Sequence, residues 1–465
     1  MSFDPEQMKR NGKYGRAAQV ELRSRTRATK RQNEIRDKME MSVCEVIDGV
    51  DPGQILARFC RFMRSTKVPL SDEKTLRNVI AAINAELEKK EPQLAVIRDG
   101  MDGMTNVTFS IPADILMALG VVELLTTVLQ RYTVHVAIFQ HAMQSLVNLC
   151  VDSPFTRNLI YETLYEKHRV DILDFLLYHI ATPERVQKLA PETLDSIVWG
   201  LTGICYNQQI PCKYTLHMLE RVRDPLISLL ELLSKSMGDR EKLITHIGSV
   251  LKSLVIDCDT AIGIIARYSG SLIQHTTTML KLNLMDACVP FLGVLSQIAQ
   301  YDTNILVENG LCDLIALPTD WMPRYGFTEW LWLVDGLAKV RAKNFSVEMV
   351  VGIMDVARTG YPEHQHAAIH ILFLLWKRDT AKGTNVELEK VTADFINKVA
   401  TFPGEFVLAI DLLAMCVKPG KIHESTRSAL TKCLTEPIGA PVLLQAYKLL
   451  GDDECFNDIT EELPQ

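Results

Sequence analysis

Two histidines, His366 and His370, stand four residues apart in a run with helical periodicity, which puts both on one helix face a single turn apart. That is the spacing of a two-point metal grip, but a zinc site needs a third and usually a fourth ligand. None lies at a matching distance along the chain, so a surface or packing role is expected, with no metal and no cofactor. The eleven cysteines offer no better chemistry. No two show the C-x2-C spacing of a metal knuckle, and Cys205 and Cys212 are too far apart for one. Cys150, Cys288 and Cys416 sit inside apolar helical runs, where a reduced thiol packs as a small hydrophobe. This usage points to a reducing compartment. There is no glycine-rich phosphate loop ahead of a helix and no nucleophile elbow. No catalytic residue is expected, and the protein is read as a non-enzyme.

The other conspicuous chemistry is charge. The chain has 465 residues and a formal net charge of −7. From Lys9 to Lys38, however, eleven Lys and Arg face three acids, about +8, which leaves about −15 for the remainder. A basic arm on an acidic body suits an acidic partner, or attraction between the two parts. The arm has few large apolar residues and is expected to be flexible on its own. A basic arm also fits phosphate binding by counterion release, but no reading helix or stacking platform accompanies it, so nucleic acid is not the expected partner. No apolar stretch reaches the roughly twenty residues that cross a bilayer, and the N-terminus lacks the apolar core of a secretory signal. The expectation is a soluble intracellular protein with no membrane partner.

The elements behind these side chains are helical. From about Asp48 onward apolar residues recur at spacings of three and four, and no alternation lasts long enough for a strand. Pro, Gly, Asn and Asp punctuate segments of roughly ten to twenty residues. Several segments resemble one another: Ala142–Cys150, Ile197–Cys205, Leu292–Ala299, Glu329–Leu337, and more weakly Ala367–Leu374 and Leu408–Met415. Aligning Leu146, Leu201, Leu295, Leu333, Leu372 and Leu412 gives steps of 55, 94, 38, 39 and 40. The step of 94 is expected to hide another copy around Leu251 to Leu254. A period near forty with three helices per unit is the armadillo pattern. The short helices Ala118–Leu125 and Glu308–Leu314 each open with a small turn. The expected fold is all-α, a right-handed superhelical solenoid of roughly eight to ten armadillo repeats, whose third helices line an extended binding surface.

With that layout the chain resembles the importin-alpha family, as a divergent member. In the family a Trp on the third helix is followed four residues later by an Asn; the Asn holds a peptide backbone and the Trp rings flank Lys and Arg stems. The resemblance implies a cargo-peptide surface made by Gln144, Asn148, Trp199, Gln297 and Trp332. The ladder is incomplete: Gly203 and Gly336 stand at the Asn position after Trp199 and Trp332. Gln144 and Gly293 take the Trp position before Asn148 and Gln297, and His370 with Leu374 occupies the next pair. Read from the residues alone, Trp199 and Trp332 could equally be core and Asn148 a cap or turn former. Trp321, Trp330 and Trp376 fall off the register and are expected to pack.

The arm is similar to the family's importin-beta-binding segment, with Gly12–Arg16, a spacer, Glu21–Arg27, and a basic helix over Thr26–Arg36. The resemblance implies importin-beta contacts through Lys13, Arg16, Arg23, Arg25, Arg27, Lys30, Arg31, Arg36 and Lys38. The family's final basic cluster reads Lys38-Met-Glu-Met-Ser42 here, which implies weak or differently built self-inhibition. The last fifteen residues hold six acids, and in the family this end meets an export receptor with Ran-GTP. The implied domains are a basic arm (1–45), a solenoid (46–450) and an acidic tail (451–465). The implied function is a shuttling nuclear import adaptor, in cytoplasm and nucleus, that links basic localisation signals to importin-beta. The alternative is an armadillo scaffold for another extended protein partner, unrelated to import.

Overall fold

The computed structural model describes residues 52–66, 73–152, 157–158, 172–205, 215–256, 258–316, 326–341, 345–378, 386–401, 403–436 and 439–451. The basic arm, the acidic tail beyond Gly451 and Trp321 lie outside these. The chain divides into two compact units, Met1–Leu232 and Leu233–Gln465. Both are helical throughout their described residues, and the lone β-bridge is a local one between Lys418 and Lys421.

The first unit runs α1 (Pro52–Thr66), α2 (Glu73–Glu88), α3 (Leu94–Ser110), α4 (Ala113–Ala118), α5 (Val121–Arg131), α6 (Val136–Asp152), α7 (Ile172–Ile180), α8 (Pro183–Val186), α9 (Pro191–Ile204) and α10 (Thr215–Leu233). The second unit begins with a 3-10 turn and runs α11 (Glu241–Val255), α12 (Asp259–Ile265), α13 (Ser269–Lys281), α14 (Met285–Glu308), α15 (Leu311–Ile315) and α16 (Phe327–Arg341). It continues with α17 (Val347–Thr359), α18 (Pro362–Arg378), α19 (Val386–Lys398), α20 (Pro403–Cys416), α21 (Glu424–Cys433) and α22 (Ala440–Leu450).

One helix per repeat forms a ladder. In the first unit α1, α3, α6 and α9 pack each against the next; in the second unit α11, α14, α16, α18, α20 and α22 do the same. That makes ten rungs among the described residues, the upper end of the expected range. The sequence register is reproduced: Leu146, Leu201, Leu251, Leu295, Leu333, Leu372 and Leu412, one per rung, are all fully buried. α11 is the copy hidden in the step of 94. Each rung buries leucines, valines and isoleucines on the faces turned to its neighbours, so the repeat is held by apolar burial between like elements.

The turns between helices obey local chemistry. Gly120 and Gly310, at the expected small turns, adopt φ of +80° and +99° as they open α5 and α15, a conformation costly for a residue with a Cβ. Pro183 and Pro191 start α8 and α9, where a missing N–H leaves no helical bond unmade. α14 is two helices joined at Asp302, whose extended backbone (φ −155°, ψ 99°) breaks the run. Its carboxylate accepts the Asn304 N–H at 3.0 Å and so caps the second of the two helices.

Candidate functional site

Burial of two faces leaves each rung one solvent-facing stripe with residues every three or four positions. On α6 the stripe is His141, Gln144 and Asn148; on α9 it is Glu192, Asp195, Trp199 and Thr202. In the second unit it runs through Thr245, Ser249 and Lys252 on α11, Asp286, Val289 and Gln297 on α14, and Glu329, Trp332 and Lys339 on α16. His366, His370 and Phe373 come next, on α18. All five predicted cargo-contact residues therefore lie on the solvent-facing stripes of ladder helices, Gln144, Asn148 and Trp199 in the first unit and Gln297 and Trp332 in the second. Trp330 and Trp376 are buried, as their register implied.

The departures from the Trp–Asn pattern have a steric origin. A Cβ on Gly203 would lie 2.5 Å from Val147 Cγ1 on α6, and one on Gly336 would lie 2.8 Å from Thr303 Oγ1 and 3.3 Å from Ala299 Cβ on α14. At both positions a Cβ would force the facing side chain or its rung to shift. Gly293 has a different cause: its missing side chain leaves room for Lys252, whose Cδ and Cε would be 2.7 Å from a Cβ there.

Asn148 is committed within the first unit. Its Nδ2 donates to the Thr105 carbonyl at 3.1 Å and to Thr108 Oγ1 at 3.2 Å, and its Oδ1 accepts from Gln144 Nε2 at 3.0 Å. Both amide N–H groups of Asn148 are thus spent on tying α6 to α3, and its oxygen accepts within α6. Asn148→Ala is expected to lower the stability of the protein by about 1–2 kcal/mol, read as the shift in a urea midpoint at constant slope. A parallel tie joins the same helices at His141 and Asp102, 3.8 Å apart, with Cys60 of α1 donating to Asp102 at 3.2 Å.

In the second unit charged side chains form clamps between rungs. Lys252 of α11 crosses Gly293 of α14, and its ammonium meets Glu329 Oε1 of α16 at 2.9 Å. Asp335 of α16 accepts from Lys339 Nζ and from His370 Nδ1 of α18, both at 2.6 Å. An ionised carboxylate only accepts, so Nδ1 carries the hydrogen. Burial acts to raise the Asp335 pKa, but the bonds from His370 and Lys339 and their charge outweigh it and hold the group below its usual value. His366 of α18 meets Glu405 Oε1 of α20 at 2.5 Å, while Glu405 Oε2 accepts the Thr401 N–H at 2.6 Å. The two histidines one turn apart thus face opposite neighbours, and no trio of His, Cys, Asp or Glu is placed for a metal ion among the described residues.

An open hollow of about 430 Å³ sits at the first turns of α11 and α14, lined by Glu241, Lys242, Thr245, Asp286, Val289 and Pro290. It mixes both charge signs with apolar wall and converges no reactive groups. Burial pushes the thiols of Cys150, Cys288 and Cys416 up to about 12, so they stay protonated and unreactive at neutral pH. No helix among the described residues is long and apolar enough to cross a membrane.

The fold has solved counterparts. An engineered protein matches over 90% of this chain and 98% of its own, with a TM-score of 0.63 and 14% identity. A structure from work on a phosphorylation switch in the interaction between cadherin and beta-catenin matches over 85% of both chains, with a TM-score of 0.56 and 14% identity. The fold is an armadillo-like α-solenoid. No family model and no curated protein sequence matches the chain. At this identity the likeness shows the fold alone.

Sequence reasoning missed Lys252, Glu329, Asp335, Lys339 and Glu405. Only the spacing of Asp335 and Lys339, four apart on one helix, was open to it. The Lys252–Glu329 pair spans 77 positions and needs the fold to bring it together.

Proposed function

We propose that the protein is a non-enzymatic scaffold that receives an extended segment of a partner protein along the solvent-facing stripes of its ladder helices. The observation that carries this reading is Trp332, which is 46% exposed while Trp330 on the same helix and Trp376 on the next rung are buried. A large aromatic left in solvent between charged clamps is the composition of a binding hot spot. The armadillo-like fold supports the reading, because repeated rungs offer repeated contacts to an extended chain. Selecting peptides of about twelve residues from a random display library with the full chain tests it. Binders that lose affinity on Trp332→Ala but not on Val351→Ser, an exposed position on α17, support it. A selection that yields no binder, or only binders indifferent to Trp332, would sink it.

The nuclear import reading is a second, finer proposal. It rests on the Lys9–Lys38 run, which lies outside the described residues, and on the stripe of α9, where Trp199 sits one turn after Asp195 and two after Glu192. Acids beside an aromatic suit the ammonium and stem of a lysine, so a basic localisation signal would use the first unit. The arm would hold importin-beta, and the adaptor would shuttle between cytoplasm and nucleus with release by Ran-GTP. A pull-down with importin-beta decides it: binding by the full chain that is lost on deletion of residues 1–45 supports the reading, and binding retained after deletion refutes it.

A further inference from the structure

The clamps of the second unit are layered, and the layering selects the charge of the ligand. In each clamp the basic side chain stands toward solvent and the carboxylate lies beneath it. Lys339 is 50% exposed and His370 41%, over an Asp335 that is 7% exposed. Lys252 is 35% exposed over a Glu329 at 22%, and His366 32% over a Glu405 at 16%. Both oxygens of Asp335 and both of Glu405 already accept a bond from the protein. An ammonium has three N–H donors, so Lys252 and Lys339 each keep open donors after bonding their carboxylates, while every oxygen of Asp335 and Glu405 already has a partner. A basic side chain arriving at Lys252 or Lys339 would meet like charge first, with the partnered carboxylate behind it. A carboxylate would meet open donors.

Resting on the scaffold reading, we infer that the stripe from Lys252 through Trp332 to Lys377 binds an extended acidic segment of a partner protein. Lys377, in the last turn of α18 and exposed, adds a cation at the far side, and Asp411 on α20 marks where the favourable charge ends. Trp332 lies one turn from Glu329 on one side and from Asp335 on the other, so its indole sits between two clamps and offers an apolar seat. Rungs packed at roughly 8–10 Å and an extended chain at about 3.3 Å per residue put successive clamps about three residues apart. The segment that fits places an acid at about every third position with apolar side chains between.

The test uses the full chain and two fluorescein-labelled probes, four repeats of Asp-Leu-Ser and four repeats of Lys-Leu-Ser, read by fluorescence anisotropy at two salt concentrations. The acidic probe should bind, more weakly at high salt, and the basic probe should bind at least about tenfold more weakly. Trp332→Ala should weaken the acidic probe about tenfold. Lys339→Gln keeps a donor to Asp335 and should weaken it severalfold, with Lys339→Arg restoring the parent value. Thermal melts of each variant separate binding from folding. Dependence on Trp332 and Lys339 also separates this surface from the basic run at residues 9–38, which could itself attract an acidic probe. Tighter binding of the basic probe with the same dependence on Trp332 would overturn the acidic inference and leave the scaffold reading standing. Binding of neither probe, or binding indifferent to both residues, would overturn the two together.

Discussion

Gly203→Asn, which restores the amide that the importin-alpha pattern calls for after Trp199, is expected to lower stability by about 1–3 kcal/mol and to add no affinity for a basic peptide. The new Cβ would lie 2.5 Å from Val147 Cγ1, 2.9 Å from Cγ2 and 3.1 Å from Cβ itself. Rotating the valine exchanges one methyl for the other and leaves its branch point where it is, so relief requires α6 and α9 to separate. Leu146 of α6 and Leu201 of α9, both fully buried, lie one and two residues from the clash and would be disturbed with it. Thr202→Asn, one residue earlier on the solvent-facing stripe, is the control and should stay within about 0.5 kcal/mol of the parent. Chemical denaturation of the two variants checks this, and equal stability would show that the rungs are not in close contact at Gly203.

The second large effect concerns Asp335. Replacing both its partners, Lys339→Met with His370→Leu, leaves a carboxylate at 7% exposure without the two bonds that hold it ionised. The expected cost at neutral pH is about 3–5 kcal/mol. Its pH dependence has a definite sign. In the parent the folded pKa is depressed, so Asp335 contributes stability fully above its unfolded value of about 3.9, and the contribution is lost as pH falls through the folded value. In the variant burial acts unopposed and raises the folded pKa. The penalty is then largest above that raised value and shrinks as pH falls toward about 4, below which the group is protonated in both states. Stability curves for parent and variant should therefore converge on acidification. Adding Asp335→Leu to the double variant removes the stranded charge and should recover most of the loss at neutral pH. Parallel curves from pH 8 to 4 would contradict the account.

The repeat was legible in the sequence because its cause is local and periodic. Burial between like helices demands leucine at one recurring position, and Leu295, Leu333, Leu372 and Leu412 recur at steps of 38, 39 and 40. Turn glycines such as Gly120 and Gly310 were legible for the same reason. The chemistry of the stripes was only partly so. Periodicity put Trp332 and Gln297 on solvent-facing stripes, but it could not tell that Gly203 reflects close packing whereas Gly293 makes room for a lysine. That distinction depends on the neighbouring rung. Asn148 illustrates the limit: its spacing from Gln144 was visible, while its two bonds to Thr105 and Thr108 across 43 and 40 positions were not. His366 and His370 were seen as a pair on one face, and their opposite partners, Glu405 and Asp335, lie on two different helices.

The central claim is that Trp332 sits where a partner's extended segment binds. Incorporating 5-fluorotryptophan gives one fluorine resonance for each of the five tryptophans, assignable by single Trp→Phe substitutions in the full chain. On saturation with the acidic Asp-Leu-Ser probe the Trp332 resonance should shift while those of the buried Trp330 and Trp376 hold still. A Trp332 resonance that stays put while the probe is bound would contradict the account.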